Sequence, residues 1–254
     1  MIAGAANAAN LVQNGDFSAV TLTPGQVAQI GSYVGFQVTM PGGAYSNAVD
    51  SWTSAQGGAY GQAYNLYFFD AATATSGDAL SQYPSEQQRP NQNFTPDSPT
   101  SGAFMILDGD PNFTGPLQQT INGLTVGQSY TLSFDWAGGE LSNRTGYQTI
   151  DLTGSFGSST FATPIYTNTA ASNAPGSFSG WQTASFNFKA TSTSQVLSFL
   201  AAGTPAANLP PVAFLDNVSL TPVPEPAAWA LIFAGVGGIG LTLRRRRSAV
   251  AASA

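Results

Sequence analysis

The sequence predicts an all-β body, an antiparallel sandwich or barrel, followed by a single C-terminal transmembrane helix. Three observations carry this. Short candidate strands alternate with turn residues along most of the chain. No helical periodicity precedes residue 227. Ala227–Leu243 then runs 17 residues without a charge and meets four consecutive arginines.

The strands follow in order. Residues 10–18, NLVQNGDFS, read as an opening strand. Tyr64–Asp70 and Ala103–Asp108 are apolar and aromatic runs. Leu117, Gln119 and Ile121 share one parity, and Asn122-Gly123 and Gly127 supply a turn. Gln128–Trp136 alternates clearly: Tyr130, Leu132, Phe134 and Trp136 on one face, Thr131, Ser133 and Asp135 on the other. Gln148–Phe156, Thr160–Tyr166, Trp181–Lys189, Gln195–Ala202 and Val212–Leu220 complete the set. Residues 84–101 hold four prolines and read as a long loop. Residues 42–61 form a second, Gly-rich stretch, and no internal repeat is visible.

Composition removes many functions. The chain has 254 residues and is only 8% charged, where a soluble domain averages about 25%. It lacks cysteine, so it has no disulfide, thiolate metal site or Cys nucleophile. It lacks histidine, and with it the commonest general base and zinc ligand. Residues 1–243 hold all 13 acidic residues against three basic ones, Arg89, Arg144 and Lys189. Such a body repels phosphate backbones, so no nucleic-acid partner is expected.

The C-terminal span is roughly 25 Å long as a helix, at the short end of a membrane crossing. Trp229 lies near its start, where an interfacial indole belongs. Arg244, Arg245, Arg246 and Arg247 hold the far end in the cytoplasm. Pro224 and Pro226 flank Glu225 and keep it out of the helix, extended at the outer interface.

These parts, Val223-Pro224-Glu225-Pro226, the short apolar helix and the arginine cluster, resemble in order a PEP-CTERM sorting signal. The resemblance spans about 25 residues, a tenth of the chain. It implies a Gram-negative, exopolysaccharide-producing host and an exosortase, a membrane-embedded Cys protease-transpeptidase, as partner. It makes Pro224, Glu225 and Pro226 the recognition motif and Arg244–Arg247 the orientation signal. Residues 248–254 form a tail that such signals usually lack. The first ten residues, MIAGAANAAN, have no basic or long apolar region. Ala6-Asn7-Ala8 has the small-x-small pattern of a signal peptide's cleavage site. Residues 1–9 are therefore expected to be the remnant of a cleavage region, with a true start upstream, or a flexible N-terminus.

A second resemblance concerns the body. Residues 103–140, with the opening NLVQNGDFS and the closing FLDNVSL, are similar to jelly-roll domains of the galactose-binding-like and choice-of-anchor classes. This implies one jelly-roll sandwich over residues 10–221, with neighbouring first and last strands. Several members bind carbohydrate or structural calcium, and neither follows from the fold alone.

Candidate sites in the body are few. Asp216 shares parity with Val212, Phe214, Val218 and Leu220, where a carboxylate needs a partner. Asp16 would lie near it if the first and last strands pair, so a structural calcium at Asp16 and Asp216 is one reading. The other is hydrogen bonding at a strand end. Asp108-Gly109-Asp110-Pro111-Asn112 reads as a solvated turn lacking the rest of an EF-hand. Trp52, Tyr45 and Tyr60 lie in Gly-rich sequence and are the candidates for stacking on sugar rings. Trp136 and Trp181 are assigned to the core. Paired carboxylates for glycoside hydrolysis need only meet in space. The expectation is an exported, non-catalytic envelope or matrix protein, held transiently in the inner membrane and then released. A carbohydrate-binding module of the exopolysaccharide matrix is the first alternative, and a glycan hydrolase the second.

Overall fold

The computed structural model describes residues 9–19, 35–37, 49–54, 65–68, 99–100, 104–110, 115–139, 148–168, 178–204 and 211–224. These form an antiparallel two-sheet sandwich with no helix among the described residues. The strands are β1 (Gly35–Gln37), β2 (Thr53–Ser54), β3 (Asn65–Phe68), β4 (Phe104–Asp108), β5 (Leu117–Asn122), β6 (Ser129–Gly139), β7 (Gln148–Phe156), β8 (Ser159–Ala162), β9 (Tyr166–Asn168), β10 (Gln182–Lys189), β11 (Ser194–Thr204) and β12 (Val212–Pro222). One sheet has the order β1-β3-β4-β12-β6-β10. The other has the order β2-β5-β11-β7-β8, with β9 also on β7. Asn10–Thr221 is one compact unit, and Pro222–Ala254 falls outside it.

Alternation along the strands builds the core. Leu132, Phe134 and Trp136 of β6 face Leu152 and Phe156 of β7 and Leu197 and Phe199 of β11. Phe199 is fully buried and meets Phe134 edge-on at 5.0 Å and Phe161 at 5.5 Å, with Trp52 at 6.2 Å. Such rings fix relative orientation as well as burying area.

Two strands break the alternation because both their faces are covered. Met105 and Leu107 of β4 and Ala213 and Leu215 of β12 point into the sandwich. Phe104, Ile106, Val212 and Phe214 join Ala137 in a second cluster on the outer face, packed by Phe178 and Trp181. Opposed apolar residues of both parities in Val212–Leu215 thus have one cause.

The opening segment differs from expectation. Residues 10–18 make no regular strand. Asn14 and Phe17 adopt left-handed φ of 51° and 54°, and the Phe17 amide donates to the Asn14 carbonyl at 3.2 Å. The segment still lies against the last strand: the Leu11 amide donates to the Leu220 carbonyl and the Val218 amide to Gly15, both at 2.9 Å. A Cβ at Gly15 would collide with the Val218 carbonyl oxygen. The expected strand at 160–166 divides into β8 and β9, and β1 and β2 come from sequence that gave no strand signal. The expected helix at 227–243 lies outside the described residues.

Two stability predictions follow from this core. Phe199→Ala should lower unfolding free energy by about 3–5 kcal/mol, the usual cost of emptying an aromatic core position; urea denaturation measures it, and a loss under about 1 kcal/mol would contradict the packing. Asp151, on the outer face of β7, has its carboxyl raised above the ordinary value by burial, against a backbone hydrogen bond that lowers it. The folded state then retains a proton that the unfolded chain releases sooner. Its contribution is present below the ordinary value, about 3.9, and is lost as pH rises through the folded value. Asp151→Asn should therefore raise Tm more at pH 7 than at pH 3, by a margin kept small by solvent screening. Calorimetry at both values checks the sign.

Candidate functional site

Among the described residues, the outer face of the β4-β12-β6-β10 region carries an organised polar group. It begins with a phase change in β12. Ala213 and Leu215 point inward, yet so do Val218 and Leu220. One residue of the strand is therefore extra, and Asn217, with φ 52°, absorbs it as a bulge. Asparagine tolerates this left-handed conformation better than most residues.

The bulge turns both Asp216 and Asn217 into a chain of hydrogen bonds. Asp216 is fully buried. Its Oδ2 accepts the Thr100 hydroxyl at 2.9 Å and the Thr100 amide at 3.4 Å, and its Oδ1 accepts the Asn217 amide at 2.6 Å. The Asn217 Nδ2 donates to Asp135 Oδ2 at 2.9 Å, and the Thr183 hydroxyl donates to Asp135 Oδ1 at 2.6 Å. Asp135 is 8% exposed. Hydroxyl and amide donors meet both carboxylates, as buried charge requires. The network spans β12, β6 and β10, the register setting Thr183 opposite Asp135.

A second bulge orders the neighbouring aromatics. Phe178 pairs with Gly139 and Gln182 with Trp136, leaving Gly180, φ 78°, as the extra residue of the segment. Phe178 and Trp181 therefore both come to the outer face. Trp181 is half-buried and meets Phe104 at 5.9 Å, Phe214 at 6.2 Å and Phe178 at 6.4 Å, all edge-on. Its Nε1 is buried with no hydrogen-bond partner. Gly139 leaves room for the Phe214 ring, which a Cβ would meet at 2.7 Å.

The residues expected from sequence fall differently. Trp52 is corrected: it is 1% exposed, packed on Phe17 and Phe199, with its indole N–H donating to the Asn14 carbonyl at 2.9 Å. That bond satisfies the indole and lets it enter the core, so no sugar can stack on it. Tyr45 and Tyr60 lie outside the described residues. Asp16 is exposed, and its carboxylate accepts the Ser18 hydroxyl at 3.0 Å. Asp16 and Asp216 thus hold separate partners. Among the described residues no group of three or more acidic side chains could hold a metal ion. In the expected solvated turn, Asp110 is instead buried, its amide donating to the Asp108 carboxylate at 2.8 Å. Pro224 is exposed, while Glu225, Pro226 and Arg244–Arg247 lie outside the described residues.

Sequence reasoning missed Asn217, Thr183 and the outward Trp181. Asp135 was legible as outward-facing from the alternation of β6. Trp181 was legible in the same way, since it shares parity with Thr183, Ser185 and Asn187 of β10; what alternation hides is Phe178, which the extra residue at Gly180 carries to the same face.

Residues 222–247 match the model of the PEP-CTERM protein-sorting motif. None of the curated proteins matches the chain. Among solved structures, the chain is similar to the enzymatically active domain of bacteriophage CBA120 tailspike protein 4, at 13% identity and TM-score 0.36 over 84% of this chain. It spans about a fifth (21%) of that chain's length. It is also similar to TmCBM61 in complex with β-1,4-galactotriose, at 11% identity and TM-score 0.38, covering 85% of this chain and 99% of that one. A family 16 carbohydrate-binding module is similar at 12% identity and TM-score 0.28, over 52% and 82% respectively.

The bulge yields a paired prediction. Asn217→Ala should cost about 2–3 kcal/mol, from the left-handed backbone and the lost bond to Asp135 together. Asn217→Gly keeps the backbone at ease and should cost about 1 kcal/mol. Equal losses in urea denaturation would rule out the conformational role.

Proposed function

We propose that the chain is an exported, non-catalytic component of a Gram-negative cell envelope or extracellular matrix. Its C-terminus is read and cut by an exosortase-type membrane protease. The observation that carries this is the sorting-motif match at residues 222–247. It begins at Pro222, where β12 ends.

The physical steps follow from the residues. The apolar run 227–243 enters the inner membrane and the four arginines keep its end cytoplasmic. Pro224, Glu225 and Pro226 then lie at the outer interface in extended form, as a protease subsite requires. Val223 alone separates β12 from Pro224. A cut near Glu225 leaves the Asn10–Thr221 unit whole. The released body, acidic and short of acid–base partners, serves as a matrix component in contact with exopolysaccharide.

The test is intact mass of the protein from an exosortase-bearing host, comparing membrane and secreted fractions. The expected secreted species ends between Pro224 and Ala227. A full-length species confined to the membrane, still carrying Arg244–Arg247, would make it a simple anchored protein.

A further inference from the structure

We infer that the outer face formed by β12, β6 and β10, from Trp181 to Asn187, binds an uncharged polysaccharide chain. This rests on the reading that the body is delivered to a polysaccharide-containing surface.

The face has the two kinds of group a sugar needs. Trp181 packs against Phe104, Phe178 and Phe214 with ring planes near perpendicular, so its orientation is fixed before any ligand arrives. The part of this half-buried indole left open to solvent is an apolar surface for the C–H face of a pyranose. Beside it, Thr183, Ser185 and Asn187 follow on alternate positions of β10, all exposed, with Asn217 exposed across β6. Alternate residues on a strand are about 6.6 Å apart and neighbouring strands about 4.8 Å. Hydroxyl and amide groups thus stand in rows beyond the aromatic end. The rows are held in place: Thr131 donates to Asn187 Oδ1 at 2.8 Å, and Thr183 and Asn217 are tied to Asp135. Little ordering entropy remains to be lost on binding.

Charge selects the ligand. Lys189, at the far end of β10, is the one basic side chain among the described residues. The middle of the face instead holds the Asp135 carboxylate, which fixes the Thr183 hydroxyl and the Asn217 amide. Among the described residues, a uronate or phosphate polymer along this row would meet a carboxylate at its middle and a single cation, Lys189, only at its end, on an acidic body. A neutral glycan meets neither penalty.

The test is affinity electrophoresis of the purified full chain in detergent, through gels containing soluble β-glucan, galactan or galactomannan, with alginate as the polyuronate. Retardation is expected in at least one neutral gel and none in alginate. Trp181→Ala should weaken retention about tenfold or more, the loss typical of a central aromatic anchor. Because that variant also opens the outer cluster, Ser185→Arg serves as a second: it is exposed, should leave Tm unchanged, and should weaken retention by blocking the face. No neutral retention, equal retention in alginate, or wild-type retention by Ser185→Arg would each overturn the inference. None of these outcomes depends on processing at Glu225, so the sorting reading stands or falls separately.

Discussion

The last strand is the constraint on which the body depends. β12 lies inside its sheet, between β4 and β6, rather than at an edge. Its first half is buried on both faces. Past Leu215 it receives the opening segment, through Leu11 and Gly15 and through the Leu220 amide, which donates to Asn10 Oδ1 at 2.8 Å. That same segment reaches the other sheet: the Gln13 amide donates to Gln119 of β5, whose Nε2 returns a bond to the Gln13 carbonyl at 2.7 Å. The two ends of the compact unit thus fasten one sheet to the other. Contacts this distant in sequence form late and cooperatively. An exported chain can complete this fold only when residues from both ends stand on the same side of the membrane.

The left-handed residues belong to this fastening. Asn14, Phe17 and Ser51, with φ of 51°, 54° and 69°, cluster around the buried Trp52. The Asn14 side chain holds Ala19 and Asp50 together, donating to both carbonyls and accepting the Ala19 amide at 2.8 Å. Strained backbone of this kind persists only where surrounding contacts over-determine it. Here they close the sandwich.

Much of this was legible in sequence. The parity of β6, the bounds of β7 and the closeness of β10 and β12 to their expected ranges all came from period-two alternation, which survives wherever one face is wet. What alternation cannot show is an extra residue. Asn217 and Gly180 each shift the phase of a strand, and with that shift Asn217 joins the polar network and Phe178 moves outward. The opening segment failed as a strand because side-chain bonds of Asn14 replace the ladder, and Trp52 was misplaced because its partner, the Asn14 carbonyl, lies 38 residues away.

The claim that both chain ends form one cooperative unit is tested most directly by native-state hydrogen exchange. The amides of Leu11, Val218 and Leu220 should exchange with the same free energy as those of β6 and β11, through global unfolding alone. Exchange of these three through a far cheaper local opening, with β6 and β11 still protected, would show the opening segment to be a loose appendage and would contradict the account.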